Sequence, residues 1–256
     1  MTALLEVSRL SKAFGGVRAV QDVSFAVEPG ELLAMIGPNG AGKTTCFNML
    51  MGQIRPDHGA ILLKGRDVAG LPPHRIWELG VGRTFQITAT FSSMTVRENV
   101  QMALISHRNA SRRLWRPAAA TEVARADALL ERVGMAEQGD RACSVLAYGD
   151  LKRVELAIAL ANDPDLLLMD EPTAGMAPRE RIELMSLADE IVAERKIGVL
   201  FTEHDMDVVF AHAHRIMVLN RGELIAEGAP AAVRANEQVR EIYLGSSVQA
   251  GGARAP

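Results

Sequence analysis

The chain has 256 residues, which at ~150 residues per domain fits one large domain or two interleaved lobes. Hydrophobic residues at 48% and charged residues at 23% exclude a disordered chain and suffice for a sizeable core. With 28 Lys and Arg against 31 Asp and Glu the net charge is −3, so nucleic acid is not expected as an electrostatic partner.

Residues 4–14 and 17–27 read as strands around Gly15-Gly16, a two-residue hairpin turn. Glu31–Ile36 reads as a strand leading into a Gly-rich loop, and Gly42–Met51 as the helix after it. Ala60–Lys64 and Val81–Gln86 are short strand candidates. From 95 to 161 the chain turns mostly helical. Val123, Ala126, Leu129, Leu130 and Val133 recur at helical spacing as one apolar stripe. Asn109–Ala120, with Arg112, Arg113, Arg116 and Pro117, reads as a solvated connection. Residues 165–169, with the apolar run Leu166–Met169, suit a doubly buried parallel strand. A helix (179–194), a strand (198–202), a helix (205–213) and two strands (215–219, 222–226) follow, and the last ten residues are expected to be disordered.

Alternating strands and helices predict a parallel sheet covered on both faces, with the helical block as a separate inserted lobe. Aromatics at 4% make the core aliphatic, with Met49 and Met51 as members and Cys46 as a packing residue. Two cysteines, Cys46 and Cys143, build neither a disulfide framework nor a four-cysteine zinc site, and a reducing compartment is expected. His212 and His214, two residues apart, point to different helix faces and are not expected to bind metal. No apolar run approaches the ~18 residues of a membrane span. The N-terminus lacks a basic region followed by an apolar stretch, so a cytoplasmic location is expected.

The strongest local signal is Gly37, Pro38, Asn39, Gly40, Ala41, Gly42, Lys43, Thr44, Thr45. It fits G-x-x-x-x-G-K-[ST], between a strand and a helix as the motif requires. Its glycines let successive N–H groups point at phosphate oxygens, and the helix adds its positive N-terminal end. Lys43 is placed for the β- and γ-phosphates and the Thr44 hydroxyl for Mg²⁺. Asp170 and Glu171 end the apolar run Leu166–Met169, where ligands of open α/β sheets bind. Asp170 is read as holding Mg²⁺ through water and Glu171 as orienting or deprotonating an attacking water. A helix-capping pair before Pro172-Thr173 is the alternative.

The order of these segments resembles the ATP-binding subunits of ABC transporters over about residues 4–245. Gly37–Thr45 matches Walker A, Gln86 the Q-loop, Leu146–Asp150 the signature, Leu166–Glu171 Walker B and His204 the switch histidine. The resemblance implies the P-loop NTPase (RecA-like) fold: a mostly parallel sheet, an N-terminal antiparallel β subdomain and an inserted helical lobe. It implies a core lobe at 1–92 and 156–228, a helical lobe at 93–155, a helical extension at 229–245 and a tail at 246–256. Phe14 matches the aromatic that stacks on adenine, with Val20 as a second apolar contact. Gln86 matches the glutamine that senses Mg²⁺ and γ-phosphate, and His204 the histidine on the γ-phosphate. ATP and Mg²⁺ are the implied ligands, with Thr44, Gln86 and Asp170 at the metal.

The signature residues Leu146, Ala147, Tyr148, Gly149 and Asp150 would serve a partner cassette in trans. They depart from L-S-G-G-Q: Ala147 has no hydroxyl and Asp150 carries a charge. Ala177 stands where the family has Asp or Asn. These departures favour a heterodimer with a second ATPase subunit. Leu-Ala-Tyr-Gly, Gly82–Gln86, Met94–Asn99, the long connection near 106–120 and Tyr243-Leu-Gly245 resemble the branched-chain amino acid importers. Transmembrane permease subunits and, indirectly, a solute-binding protein are the implied partners, at the inner face of the membrane. Urea or amide importers and lipopolysaccharide or lipid exporters share some of these marks. A non-catalytic regulatory cassette is an alternative of another class, against which Glu171 and His204 argue.

Overall fold

The computed structural model describes residues 3–84, 90–107 and 122–242. The expected hairpin is formed by β1 (Leu5–Phe14) and β2 (Val17–Val27), with Phe14 paired to Val17 across the turn. On its other edge β1 pairs antiparallel with β4 (His58–Leu63), and β5 (Arg66–Asp67) completes a four-stranded sheet ordered β2-β1-β4-β5.

The second sheet contains β3 (Leu32–Ile36), β6 (Val81–Thr84), β7 (Leu166–Asp170), β8 (Gly198–Thr202), β9 (Arg215–Asn220) and β10 (Glu223–Gly228). Their order is β10-β9-β3-β8-β7-β6, parallel except for β10. Each of β3, β7 and β8 is buried along its whole length. This is why they read as continuous apolar runs and not as alternating ones. Alternation survives in which core each side chain enters. Ala34, Ile36, Leu167, Met169, Val199 and Phe201 join one core cluster, and Leu33, Met35, Leu166, Leu168 and Leu200 join the other.

The first cluster is covered by α3 (Val96–His107), α4 (Val123–Arg132), α5 (Tyr148–Ala159), α6 (Pro178–Arg195) and α7 (Met206–His212). The second lies between the large sheet, α1 (Lys43–Leu50) and the antiparallel sheet. Cys46, Met49 and Met51 are buried there as expected, and burial pushes the Cys46 thiol up to about 12.

Three details differ from the sequence expectation. Val123, first in the apolar stripe, opens α4 and is exposed, while Ala126, Leu129, Leu130 and Val133 are buried. The two-residue β5 and the six-residue α2 (Pro73–Glu78) were not foreseen. They are too short to show a period, and Pro72-Pro73 reads as a break although Pro suits the first helical turn. Beyond β10 lie α8 (Pro230–Ala235) and helical residues 237–242. Phe85 and Gln86, the connection 109–120, Tyr243-Leu-Gly245 and the tail lie outside the described residues.

Phe201 stands in the middle of this stack with no exposed surface, whereas Ile182 on α6 is 56% exposed. Phe201→Ala is expected to cost ~3–5 kcal/mol of unfolding free energy in urea denaturation. Ile182→Ala should stay within about 0.5 kcal/mol. Equal effects would contradict this assignment of the core.

Candidate active site

Strand register sets the site. Thr202 at the end of β8 pairs with Met35 of β3 on one side and with Asp170 of β7 on the other. The loop after β3, the acidic pair after β7 and the histidine after β8 therefore leave the sheet at one level.

The loop after β3 is shaped by close approach. A Cβ at Gly37 would stand 2.2 Å from the Leu219 carbonyl of β9, and one at Gly42 2.4 Å from the Ala19 carbonyl of β2. Gly42 also takes φ +105 as it opens α1. Lys43 folds back over the loop, and its Nζ donates to the carbonyls of Gly37 (2.7 Å) and Pro38 (3.3 Å). Burial lowers the Lys43 pKa from its ordinary value, while Glu171 and Asp170 pull it up. Asn39, Gly40 and Thr44 are exposed, so the loop rim and the Thr44 hydroxyl remain accessible.

The acidic pair divides into two environments. Asp170 is buried, accepts a hydrogen bond from Thr202 Oγ1 (2.8 Å) and faces Arg83 at 3.9 Å. Glu171 turns out of the strand at φ +49, a conformation rare outside glycine. Its backbone N–H donates to both the carbonyl (3.1 Å) and the hydroxyl (3.0 Å) of Thr202. Its carboxylate then lies 2.9 Å from His204 Nε2. The carboxylate is therefore directed to the segment after β8, where His204 stands. The N–H and hydroxyl of Thr173 are held by Glu203.

Glu171, His204 and the loop Asn39–Thr45 bound one cleft of about 460 Å³, closed on the remaining side by Val17, Arg18, Ala19 and Arg221. The apolar contact expected from Val20 needs correction. Val20 is 1% exposed and packs in the core, and Val17, Arg18 and Ala19 line the cleft instead. Phe14 is exposed at the end of β1, its ring 5.6 Å from Lys12 Nζ, and does not line the cleft. Arg18 and Arg221 were missed by the sequence reading. Only the turn between β9 and β10, bound to β2 through Gln21 (2.9 Å to the Arg221 carbonyl), brings them together. A larger groove of about 570 Å³ runs beside Lys12, Asp57 and His58, and no residue of the phosphate loop lines it.

The signature segment lies elsewhere. Ala147 is extended before α5, Ala147 and Tyr148 are exposed, Asp150 sits in the first helical turn, and none of them borders the cleft. Leu146 packs against the core, and a Cβ at Gly149 would meet the Glu180 carboxylate at 3.0 Å.

The ABC transporter family model matches residues 20–174, and that of the branched-chain amino acid ATP-binding cassette transporters matches residues 223–248. The chain belongs to the ATP-binding cassette family of ABC transporters. This cassette is 40% identical over 253 residues to the high-affinity branched-chain amino acid transport ATP-binding protein LivG of Escherichia coli K12, covering 95% of this chain and 98% of LivG. BraF of Pseudomonas aeruginosa, of the same description, is 40% identical over 255 residues with the same coverage. Among solved structures, the ADP conformation of MJ1267, an ATP-binding cassette of an ABC transporter, superposes with TM-score 0.86 at 31% identity, covering 96% of this chain and 100% of that one. The cassette is thus an ATPase, and ATP is its nucleotide.

Lys43→Ala is expected to weaken ATP binding itself, because the charge would meet phosphates in the ground state as well as in the transition state. Calorimetric titration with Mg-ATP checks this, and unchanged affinity would show that the phosphates bind elsewhere.

Proposed function

We propose that this cassette energises import of branched-chain or other hydrophobic amino acids through separate permease subunits, from the inner face of the membrane. One observation carries the chemistry: the Glu171 carboxylate and the His204 imidazole, 2.9 Å apart, border the same cleft as Lys43. The solute class is supported by the likeness to LivG and BraF over nearly the whole chain and by the match at 223–248.

ATP phosphates would be held by the N–H groups of residues 39–45 and by the start of α1. Lys43 would exchange its bonds to the loop carbonyls for phosphate oxygens. Glu171 would take the proton of the attacking water, and His204, bonded to that carboxylate, would hold it on the γ-phosphate side. Mg²⁺ fits the donor set, since Asp170 is a strand-end carboxylate fixed by Thr202 and Thr44 has an accessible hydroxyl. When bound it neutralises charge between the phosphates. Gln86 is proposed to join it. Val17 and Ala19 would offer the base its apolar surface, with Phe14 beyond them.

The signature would need a second cassette, because none of Ala147–Gly149 lines the cleft of its own chain. Segment 93–155 is proposed as the lobe that moves against the core at 1–92 and 156–228. Its last boundary falls inside α5, so that helix would travel as one piece. Asp150 in the first turn of α5 offsets the positive helix end that a partner's triphosphate would meet. Ala177, at the start of α6, brings only its backbone N–H, which Glu180 already accepts at 3.1 Å. We therefore propose a heterodimer in which the partner's regular signature completes this chain's site, with a solute-binding protein feeding the permease.

Glu171→Gln is expected to keep Mg-ATP binding and to lower turnover by ~10²–10⁴-fold, the usual contribution of a general base. In the reconstituted transporter the matching change in the partner cassette should cost much less ATPase and amino-acid uptake. Equal losses would contradict the asymmetry, and normal hydrolysis by the Glu171 variant would remove its role.

A further inference from the structure

Glu203 is a buried carboxylate that the hydrolytic scheme does not use. It is 4% exposed and stands between Thr202, which ends β8, and His204. Its two oxygens serve two different segments. Oε1 accepts from the backbone N–H of Thr173 at 2.8 Å and from the Thr173 hydroxyl at 2.6 Å. Oε2 accepts from the backbone N–H of His204 at 3.1 Å. Thr173, itself 1% exposed, lies two residues after Glu171 in a turn closed by Ala174 N–H on the Glu171 carbonyl (3.2 Å) and Met176 N–H on the Thr173 carbonyl (3.1 Å).

One carboxylate thus clamps the turn that carries Glu171 to the segment that carries His204. Thr202 joins the same two segments on the strand side through its bonds to Glu171 N–H. Three donors converge on Glu203, and an ionised carboxylate is the side chain of this length that accepts all three without offering a donor. Charge-assisted bonds of this kind are stronger than neutral ones, and burial removes competing water.

We propose that Glu203 is a positioning residue for hydrolysis: it fixes the 2.9 Å separation of Glu171 and His204. This rests on the roles proposed above for those two residues. Glu203 touches neither nucleotide nor water in this account and acts through His204. A glutamine in its place keeps shape and volume. With its carbonyl toward Thr173, its amide N–H₂ faces the His204 N–H, donor against donor, and that end of the clamp opens.

The test uses the full cassette with Glu203→Gln, His204→Ala and the double variant. Mant-ATP affinity, ATPase rate and amide hydrogen exchange of residues 172–177 are measured on each. Glu203→Gln is expected to lower kcat ~10-fold or more, as misplacement of a catalytic group does, with mant-ATP affinity unchanged within about twofold. Exchange at the Thr173 turn should quicken, because a neutral carbonyl replaces the charge-assisted acceptor of the Thr173 N–H. In the His204→Ala background the same change should cost less than about twofold further, because no imidazole remains to be placed. Multiplicative losses, equal loss of ATP affinity, or an unaltered kcat in Glu203→Gln would overturn the proposal. Normal turnover in His204→Ala would instead overturn the role of His204, and the proposal with it. Should Glu203→Gln fold poorly, Thr173→Val removes only the hydroxyl bond and is expected to show a smaller kcat loss of the same pattern. An unchanged kcat there would count against the clamp.

Discussion

The hydroxyl of Thr202 is the joint on which the site is assembled. Buried at the end of β8, it donates to Asp170 and accepts from the N–H of Glu171. One oxygen thereby fixes a carboxylate that stays in the strand and starts the backbone turn that takes the next carboxylate out of it. The parallel register of β3, β8 and β7 makes this possible, since it brings Met35, Thr202 and Asp170 to one level. The left-handed φ at Glu171 carries a conformational cost of about 1–3 kcal/mol, and the two bonds from its N–H to Thr202 hold it there.

Charge is arranged on the same plan. Lys43 stands near Asp170 and Glu171 and Arg83 near Asp170, and burial disfavours the charged form of both. Lys43 meets this by donating to backbone carbonyls of its own loop. The loop can hold those carbonyls close only because Gly37 and Gly42 carry no Cβ against β9 and β2. Strand packing and lysine solvation are thus parts of one local geometry.

The parts legible in the sequence are those where chemistry is confined to a short stretch. The phosphate loop, the acidic pair after an apolar run and the strand–helix alternation all translated directly into β3, α1 and β7. His204 was legible through its spacing from them. What escaped depends on contacts between distant segments. Val20 was expected at the nucleotide, but its side chain is taken up by the core and its neighbours Val17 and Ala19 reach the cleft. Arg221 joins the cleft only because the β9–β10 turn packs on β2. Glu203, a polar residue after a strand, becomes meaningful once Thr173 closes on it. The segment Leu146–Asp150 was proposed by likeness, and only the position of α5 shows that it does not border the cleft.

The central claim is that nucleotide phosphates occupy the cleft between the Lys43 loop and the Glu171–His204 pair. A crystal structure of the Glu171→Gln cassette with Mg-ATP tests it most directly. The account predicts the terminal phosphate between Lys43 Nζ and His204 Nε2, with Lys43 withdrawn from the carbonyls of Gly37 and Pro38. Phosphates seated in the groove beside Lys12 and Asp57, or Lys43 still bonded to its loop in the nucleotide complex, would contradict it.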